Sequence, residues 1–202
     1  YDTYPDVTEL RWKYYNLKKD IIIKFPNLIK FDCSGNQIMT LINLSHCVNL
    51  KELTCSYNKI FSLDGLQNCK KLEYIDCSHN NIDNIDAISQ CAQLKNIYFQ
   101  CNRVKKFKYN FPELTVINCE KNDITSLKLN KCISLVYLYC DSNKIPQLLL
   151  NNCKNITTLS CNNNYLIIIE IDNCNNIEYI DCSYNYLNNV DWICNFDKLE
   201  TI

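Results

Sequence analysis

A short motif returns eight times along the chain, and this repetition constrains the fold more than any other feature. An asparagine closes each copy, at successive spacings of 22, 22, 22, 20, 21, 21 and 21 residues. The copies at 50–71 and 72–93 agree at Leu, Leu/Ile, Cys, Asn, Ile, Leu/Ile and a second Cys. A fixed period of this length predicts a solenoid, in which each unit packs only on its neighbours.

Each unit has the form L-x-x-L-x-C-x-x-N-x-I-x-x-L. The units begin at Leu28, Leu50, Leu72, Leu94, Leu114, Leu135, Ile156 and Ile177. Alternating apolar residues at the start of a unit predict a short strand, and one strand per unit predicts a parallel sheet. The asparagine amide both donates and accepts, so we expect a column that pairs the turn backbone from coil to coil. This structural ladder is Asn36, Asn58, Asn80, Asn102, Asn122, Asn143, Asn164 and Asn185.

These units resemble leucine-rich repeats, whose consensus is L-x-x-L-x-L-x-x-N/C-x-L, over about residues 28–202. The departure is a Cys in place of the third Leu. The 22-residue units look most like phosphatase-regulatory and internalin-type repeats, and the 21-residue units look like short bacterial repeats. The resemblance implies an α/β-type repeat solenoid. It would be a right-handed horseshoe with a parallel β-sheet on the concave side and short 3₁₀ or irregular turns on the convex side.

The predicted organisation is an N-terminal cap over 1–27, eight repeats over 28–198 and the start of a ninth repeat over 199–202. In the cap, Val7, Leu10 and Trp12 match the first, fourth and sixth offsets of a degenerate unit. A short amphipathic helix over Thr8–Lys19 is the alternative. Because the chain begins at Tyr1 and stops within a unit, we expect it to be a fragment of a longer protein.

Fifteen cysteines occur, and thirteen of them recur at two fixed offsets. Phe replaces Cys at both offsets in some units, so we expect two buried ladders of small apolar residues. Free thiols in such columns favour a reducing, cytoplasmic or host-intracellular location, with disulfide staples and an extracellular location as the alternative. The chain contains no C-x-x-C pair and only two His, so we expect no metal and no cofactor.

Charge and hydropathy favour neither nucleic acid nor a membrane as partner. The formal net charge is −1 and both signs are mixed. The apolar stretch at Ile21–Phe25 is too short to span a bilayer. A basic run, Arg103–Lys108, is interpreted as a solvated turn, with a partner contact as the alternative.

The third and fifth offsets of each unit are predicted to face the concave side, and tyrosine is concentrated there. Tyr supplies a large contact area and a hydroxyl at low entropic cost, which is typical of binding surfaces. Its high strand propensity is the alternative explanation. The candidate binding residues are Tyr74, Asp76, Tyr98, Tyr137, Tyr139, Tyr179 and Asp181.

A catalytic reading rests on His79 and Cys101, which share the eighth offset of adjacent units. A Cys–His pair can generate a thiolate nucleophile, but no orienting third group or oxyanion donor is evident. We therefore predict a monomeric, non-enzymatic module that binds a protein partner through its Tyr-rich concave face. The alternative is a secreted or surface-displayed adhesin or effector that recognises a host protein or glycan.

Overall fold

The computed structural model describes residues 4–18, 25–109, 111–129 and 132–202. Parts of the expected cap and most of the Ile21–Phe25 stretch lie outside these residues. The strands, in chain order, are β1 (Glu9–Arg11), β2 (Lys30–Asp32), β3 (Glu52–Thr54), β4 (Tyr74–Asp76), β5 (Asn96–Tyr98), β6 (Lys106–Phe107), β7 (Val116–Asn118), β8 (Ser126–Leu127), β9 (Tyr137–Tyr139), β10 (Gln147–Asn151), β11 (Thr158–Ser160), β12 (Ile168–Asp172) and β13 (Tyr179–Asp181).

Nine of these strands form one parallel sheet in the order β1-β2-β3-β4-β5-β7-β9-β11-β13. We call each repeat a coil and number the coils from the one that begins at Leu28. Equivalent residues of successive coils pair directly, as Phe31 does with Leu53 and Leu53 with Ile75. In every strand of this sheet except β1 the central residue is buried, and its two neighbours are more exposed in all of these strands except β11. The parallel-strand solenoid expected from the repeat is confirmed.

The degenerate first unit joins this sheet as a strand. Glu9–Arg11 pairs with β2 in parallel, so the helix considered over Thr8–Lys19 is absent from residues 8–18. Trp12 packs edge-on against Phe25 and Phe31, with ring centroids 6.2 and 5.8 Å apart. These large side chains cover the N-terminal end of the core.

The convex side is built in two ways. Coils one and three carry 3₁₀ helices over Ile42–His46 and Asp86–Ile88, and a third 3₁₀ helix spans Asp191–Asn195. Coils four to seven instead carry β6 paired with β8 and β10 paired with β12. The 3₁₀ and turn connections match the expected convex side, whereas these convex strands were not predicted. None of the helices among the described residues is long and apolar enough to cross a membrane.

The repeat asparagines join each coil to the one before it. Asn80 Nδ2 donates to the carbonyls of Cys77 (3.1 Å) and Ser78 (3.0 Å) in its own coil, and to Cys55 (3.0 Å) in the preceding coil. Its Oδ1 accepts from the Ile60 N–H at 2.9 Å. The same four bonds recur at the other seven positions. Each amide therefore uses both its NH₂ donor group and its carbonyl acceptor to fix the coil spacing.

The two cysteine ladders are confirmed. Twelve of the fifteen cysteines are buried, and Phe99 and Phe111 are fully buried where they replace Cys. In the second ladder the thiols also act as donors: Cys69 Sγ lies 3.5 Å from the Cys47 carbonyl, and Cys91 Sγ lies 3.4 Å from the Cys69 carbonyl. A thiol at this site is both a small apolar group and a weak donor, which an aliphatic side chain cannot match.

The eighth coil is less enclosed than the others. Cys182 and Trp192 are only partly buried, and Trp192 packs edge-on against Phe196 at 6.2 Å. A parallel bridge joins Tyr179 to Thr201, and the Ile180 N–H donates to the Thr201 carbonyl at 3.0 Å. Thr201, in the segment predicted to begin a ninth unit, thus pairs in register with the last strand of the sheet.

Candidate functional site

The concave face consists of the residues on either side of each buried strand centre. Tyr74, Tyr98 and Tyr139 are partly exposed there, and Tyr137 and Tyr179 are 41% and 36% exposed. Because every strand of the nine-stranded sheet is three residues long and in register, the third and fifth offsets form two straight rows. A chain of identical backbone bonds holds these side chains at a fixed spacing of about 4.8 Å.

Four of the five candidate concave tyrosines fall into two pairs. The rings of Tyr74 and Tyr98 lie 5.6 Å apart on adjacent strands. Those of Tyr137 and Tyr139 lie 6.5 Å apart on one strand and are parallel to within 4°. Strand β7 runs between the pairs and contributes no aromatic ring.

Burial raises the pKa of three of the concave tyrosines. Burial, followed by the charge of Asp76, raises the pKa of Tyr74 to about 12. Burial also raises the pKa of Tyr98 and of Tyr139. These hydroxyls therefore remain neutral donors and acceptors at physiological pH.

Asp76 and Asp181 lie on the concave face, and their carboxylates also accept hydrogen bonds from the turns that follow their strands. Ser78 Oγ donates to Asp76 Oδ1 at 2.7 Å, and Ser183 Oγ donates to Asp181 Oδ1 at 2.6 Å. Burial opposes ionisation of Asp181, but hydrogen bonds from Ser183 and Asn162 outweigh it and lower the pKa of that carboxyl. The repeated Asp-Cys-Ser triplet is the sequence signal for this local bond, and the sequence interpretation overlooked it.

A second carboxylate group lies on the rim, at the seventh offset, and the candidate set did not include it. Ser160 Oγ donates to both carboxylate oxygens of Asp141, at 2.8 Å each, and the Asn162 N–H donates to Asp141 Oδ1 at 2.8 Å. Burial raises the pKa of Asp141 to about 6, although the hydrogen bond from Ser160 acts to lower it. Hydrogen bonding with Glu120 raises this pKa further. Glu120 and Asp141 occupy the same offset in adjacent coils, which was the available signal.

No protein-family model and no curated protein matches the sequence, whereas many solved structures match the fold. An internalin, InlF, from Listeria monocytogenes is 18% identical, with 88% of this chain and 54% of that chain covered and a TM-score of 0.75. The functional domain of InlJ from Listeria monocytogenes, which includes a cysteine ladder, is 29% identical, with coverages of 95% and 47% and a TM-score of 0.66. The plant peptide hormone receptor RGFR1 in complex with RGF2 is 21% identical, with coverages of 84% and 35% and a TM-score of 0.68.

The chain is a leucine-rich-repeat solenoid. The solved neighbours are repeat proteins of this fold, and the register of the parallel strands and the coil length of about 21 residues agree with it. The chain spans about a third to a half of the length of the three neighbours described above. The cysteine ladder has a counterpart in InlJ.

His79 and Cys101 lie at equivalent rim positions of adjacent repeats, but their geometry does not indicate a catalytic pair. Both residues have left-handed backbone conformations, with φ of 52° and 57°. The His79 ring stacks on Tyr57 of the preceding coil, at 4.1 Å and 9°, which is the side away from Cys101. Every coil has a positive φ at this offset, so the conformation belongs to the repeat turn and is not specific to a catalytic pair.

Burial limits the chemistry of ladder cysteines whose pKa it raises. Burial raises the pKa of Cys47, Cys91 and Cys132 to about 11 in each case. The thiolate is the reactive form, so these side chains are unreactive at neutral pH. Within the described ranges, no group of three or more His, Cys, Asp or Glu side chains has the geometry of a metal site.

Proposed function

We propose that this solenoid is a non-catalytic interaction module that holds a protein partner in its concave face. The observation that carries the proposal is the row of half-exposed tyrosines on a rigid, in-register sheet. The seven inner strands of the sheet pair with a strand on both sides, so side chains supply the contacts there. Concave solenoid surfaces are extended and suit a partner that spans several coils.

Tyrosine suits this role physically. Each ring offers a large apolar area, and each neutral hydroxyl adds a directional hydrogen bond. Only two side-chain torsions are fixed on binding, so the entropic cost is low. The neighbour RGFR1, solved in complex with RGF2, supports a binding role for the same fold.

The test compares tyrosines on and off the concave face. A photo-crosslinking amino acid at position 98 should capture one protein from an extract of the source cells, and the same residue at convex position 147 should not. With that partner purified, a Tyr98→Ala/Tyr139→Ala variant should bind at least about tenfold more weakly, a loss of about 1.4 kcal/mol.

The matched control is Tyr165→Ala/Tyr186→Ala. These two tyrosines are exposed, and their rings pair at 6.2 Å away from the concave rows. The control removes the same number of aromatic rings and should leave affinity within about twofold. Equal losses in the two double variants would contradict a concave binding site.

We further propose that the protein works in a reducing compartment. The support is the packing of the ladders, in which twelve buried cysteines fill core positions as apolar groups. Thiol titration of the protein from its natural source, after denaturation without reductant, should find all fifteen thiols. A substantial deficit would instead favour the secreted or surface-displayed alternative.

A further inference from the structure

The concave face has two electrostatic halves. Along the N-terminal coils, most carboxylates on or beside the concave strands pair with lysines of neighbouring coils. Lys30 pairs with Glu52 at 2.7 Å, and Lys51 and Lys95 both pair with Glu73, at 3.1 and 2.8 Å. Asp76 is the exception, because Ser78 holds it and it forms no ion pair among the described residues. The N-terminal coils therefore carry less unpaired negative charge.

The C-terminal half is different. We define the acidic half as the segments 114–121, 135–142, 156–163 and 177–184, all of which the structure describes. They contain four carboxylates, Glu120, Asp141, Glu178 and Asp181, and one cation, Lys121. Within these segments no carboxylate lies within 4.0 Å of a cationic nitrogen.

The carboxylates of the acidic half are held in place by neutral donors. Asn118 Nδ2 donates to Glu120 Oε2 at 3.2 Å, and Asn162 Nδ2 donates to Asp181 Oδ2 at 2.9 Å. Ser160 holds Asp141 between them. Three carboxylates are thus oriented on nearby coils without a counter-charge, and burial together with Glu120 raises the pKa of Asp141 to about 6.

Two further features, one beside the acidic half and one within it, suit a partner that carries hydrogen-bond donors. Gln100 Oε1, at the same offset as Glu120 in the preceding coil, is buried and has no hydrogen-bond donor in the described structure. The parallel rings of Tyr137 and Tyr139 lie on the strand that leads to Asp141. An aromatic face beside a carboxylate is the arrangement that a guanidinium or ammonium group fits best.

We infer that the acidic half accepts a cationic protein segment, whose Arg or Lys side chains pair with Glu120 and Asp141 and pack on Tyr137 and Tyr139. The inference rests on the proposed function and specifies the chemistry of the partner. A segment rather than a small cation is favoured because the carboxylates repeat from coil to coil, at about 4.8 Å for adjacent strands. An extended chain presents alternate side chains to one face and spans such a row.

The test uses a labelled synthetic peptide of alternating Arg and Ser, with a second peptide in which Gln replaces every Arg. Fluorescence anisotropy should show that the Arg peptide binds the native protein at least about tenfold more tightly than the Gln peptide, a difference of about 1.4 kcal/mol. Binding should weaken as salt rises, because the acidic half is partly solvated.

The deciding variant is Glu120→Gln/Asp141→Asn, which should weaken binding of the Arg peptide about tenfold. Its matched control is Glu170→Gln/Asp172→Asn, two exposed carboxylates at convex strand β12. The control removes the same net charge, so it should change affinity by less than about twofold. Tyr139→Leu should weaken binding several-fold while Tyr139→Phe should not, because only the phenyl ring keeps the π face.

Equal losses in the concave and convex charge variants, or equal binding of the Arg and Gln peptides, would overturn the inference. So would spermine that displaces the Arg peptide at equal concentration, since it would show that no protein segment is required. The proposed function fails separately: a captured partner that depends on Tyr98 and Tyr139, but not on Glu120 and Asp141, would overturn the cationic partner and support the concave site.

Discussion

Coils one to three and coils five to seven share the same concave strand and the same asparagine, yet their convex walls differ. In the first group, buried convex residues recur every third position, as at Ile82, Ile85 and Ile88. In the second group they recur every second position, as at Leu148 and Leu150. A spacing of three suits a 3₁₀ turn and a spacing of two suits a strand.

The difference shows where a solenoid absorbs a change in coil length. The concave strands pair in register across the whole sheet, although the coil spacing drops from 22 to 20 and then 21 residues. The asparagine bonds fix the turn after each strand, so the missing residue is removed from the opposite wall. The binding surface therefore stays regular while the convex side varies.

The largest effect should come from Gly65→Ala, in the convex wall of coil two. Gly65 has a φ of +106°, and an added Cβ would lie 2.1 Å from the Leu41 carbonyl oxygen. Because backbone cannot move aside as a side chain can, we expect a loss of about 3 kcal/mol in the free energy of unfolding, measured by urea denaturation.

Gly35→Ala is the matched control for this prediction. Its φ is +67°, but the added Cβ would meet the ring of Tyr14, which is exposed and free to turn. The expected cost is about 1 kcal/mol. If both variants lose the same stability, the close approach of the convex turn to coil one is not the constraint.

The next effect concerns the asparagine ladder at the junction of the two groups. Asn102 is buried and bonds both coil three and coil four, so Asn102→Ala should cost about 2–3 kcal/mol through unpaired turn groups. Asn185→Ala, in the half-exposed last coil, should cost about 1 kcal/mol because water replaces part of the lost bonding. An unchanged melting temperature in Asn102→Ala would contradict a stabilising role for the asparagine ladder.

A smaller effect should appear in the pH dependence of stability. Since the pKa of Asp141 is raised from 3.8 to about 6, the native state binds more protons than the unfolded chain across this interval. Stability from this group is present below pH 3.8 and is lost as the pH rises through about 6. Relative to Asp141→Asn, the wild type should lose about 1 kcal/mol over that range, after allowance for solvent screening. Parallel melting curves for the two proteins would contradict the shift.

The smallest effect should come from the paired charges of the N-terminal half. Lys95 is half exposed where it contacts Glu73, so Lys95→Gln should leave the melting temperature unchanged within experimental error. Added salt should have no further effect on the difference between the two proteins, as followed by thermal melts. A clear drop in the melting temperature of Lys95→Gln would mean that the N-terminal pairs hold the coils together.

Strand positions, the two cysteine ladders and the solenoid itself could be predicted, because they follow from alternation and period in the sequence. The convex strands could not be predicted from apolar content alone, since Ile168–Asp172 and the wall around Ile85 are both rich in isoleucine. The spacing of the buried residues distinguishes the two walls: it is two in the convex strands and three in the 3₁₀ turns.

For the candidate site, the alternation predicted which side the tyrosines would share but not that β7 would separate four of them into two pairs. The engagement of Asp76 and Asp181 by serines depends on turn geometry within a single coil. The approach of Glu120 to Asp141 depends on side-chain packing between coils. Hydrophobic periodicity predicts neither of these features.

The central claim is that the coils stack in register and enclose the sulfur ladders. Mass spectrometry after brief labelling of the native protein with a thiol reagent tests it most directly. We predict rapid labelling at exposed Cys194, slower labelling at partly buried Cys101 and Cys182, and protection of the other twelve cysteines until the protein unfolds. Labelling of ladder cysteines such as Cys77 or Cys140 at the rate of Cys194 would contradict the account.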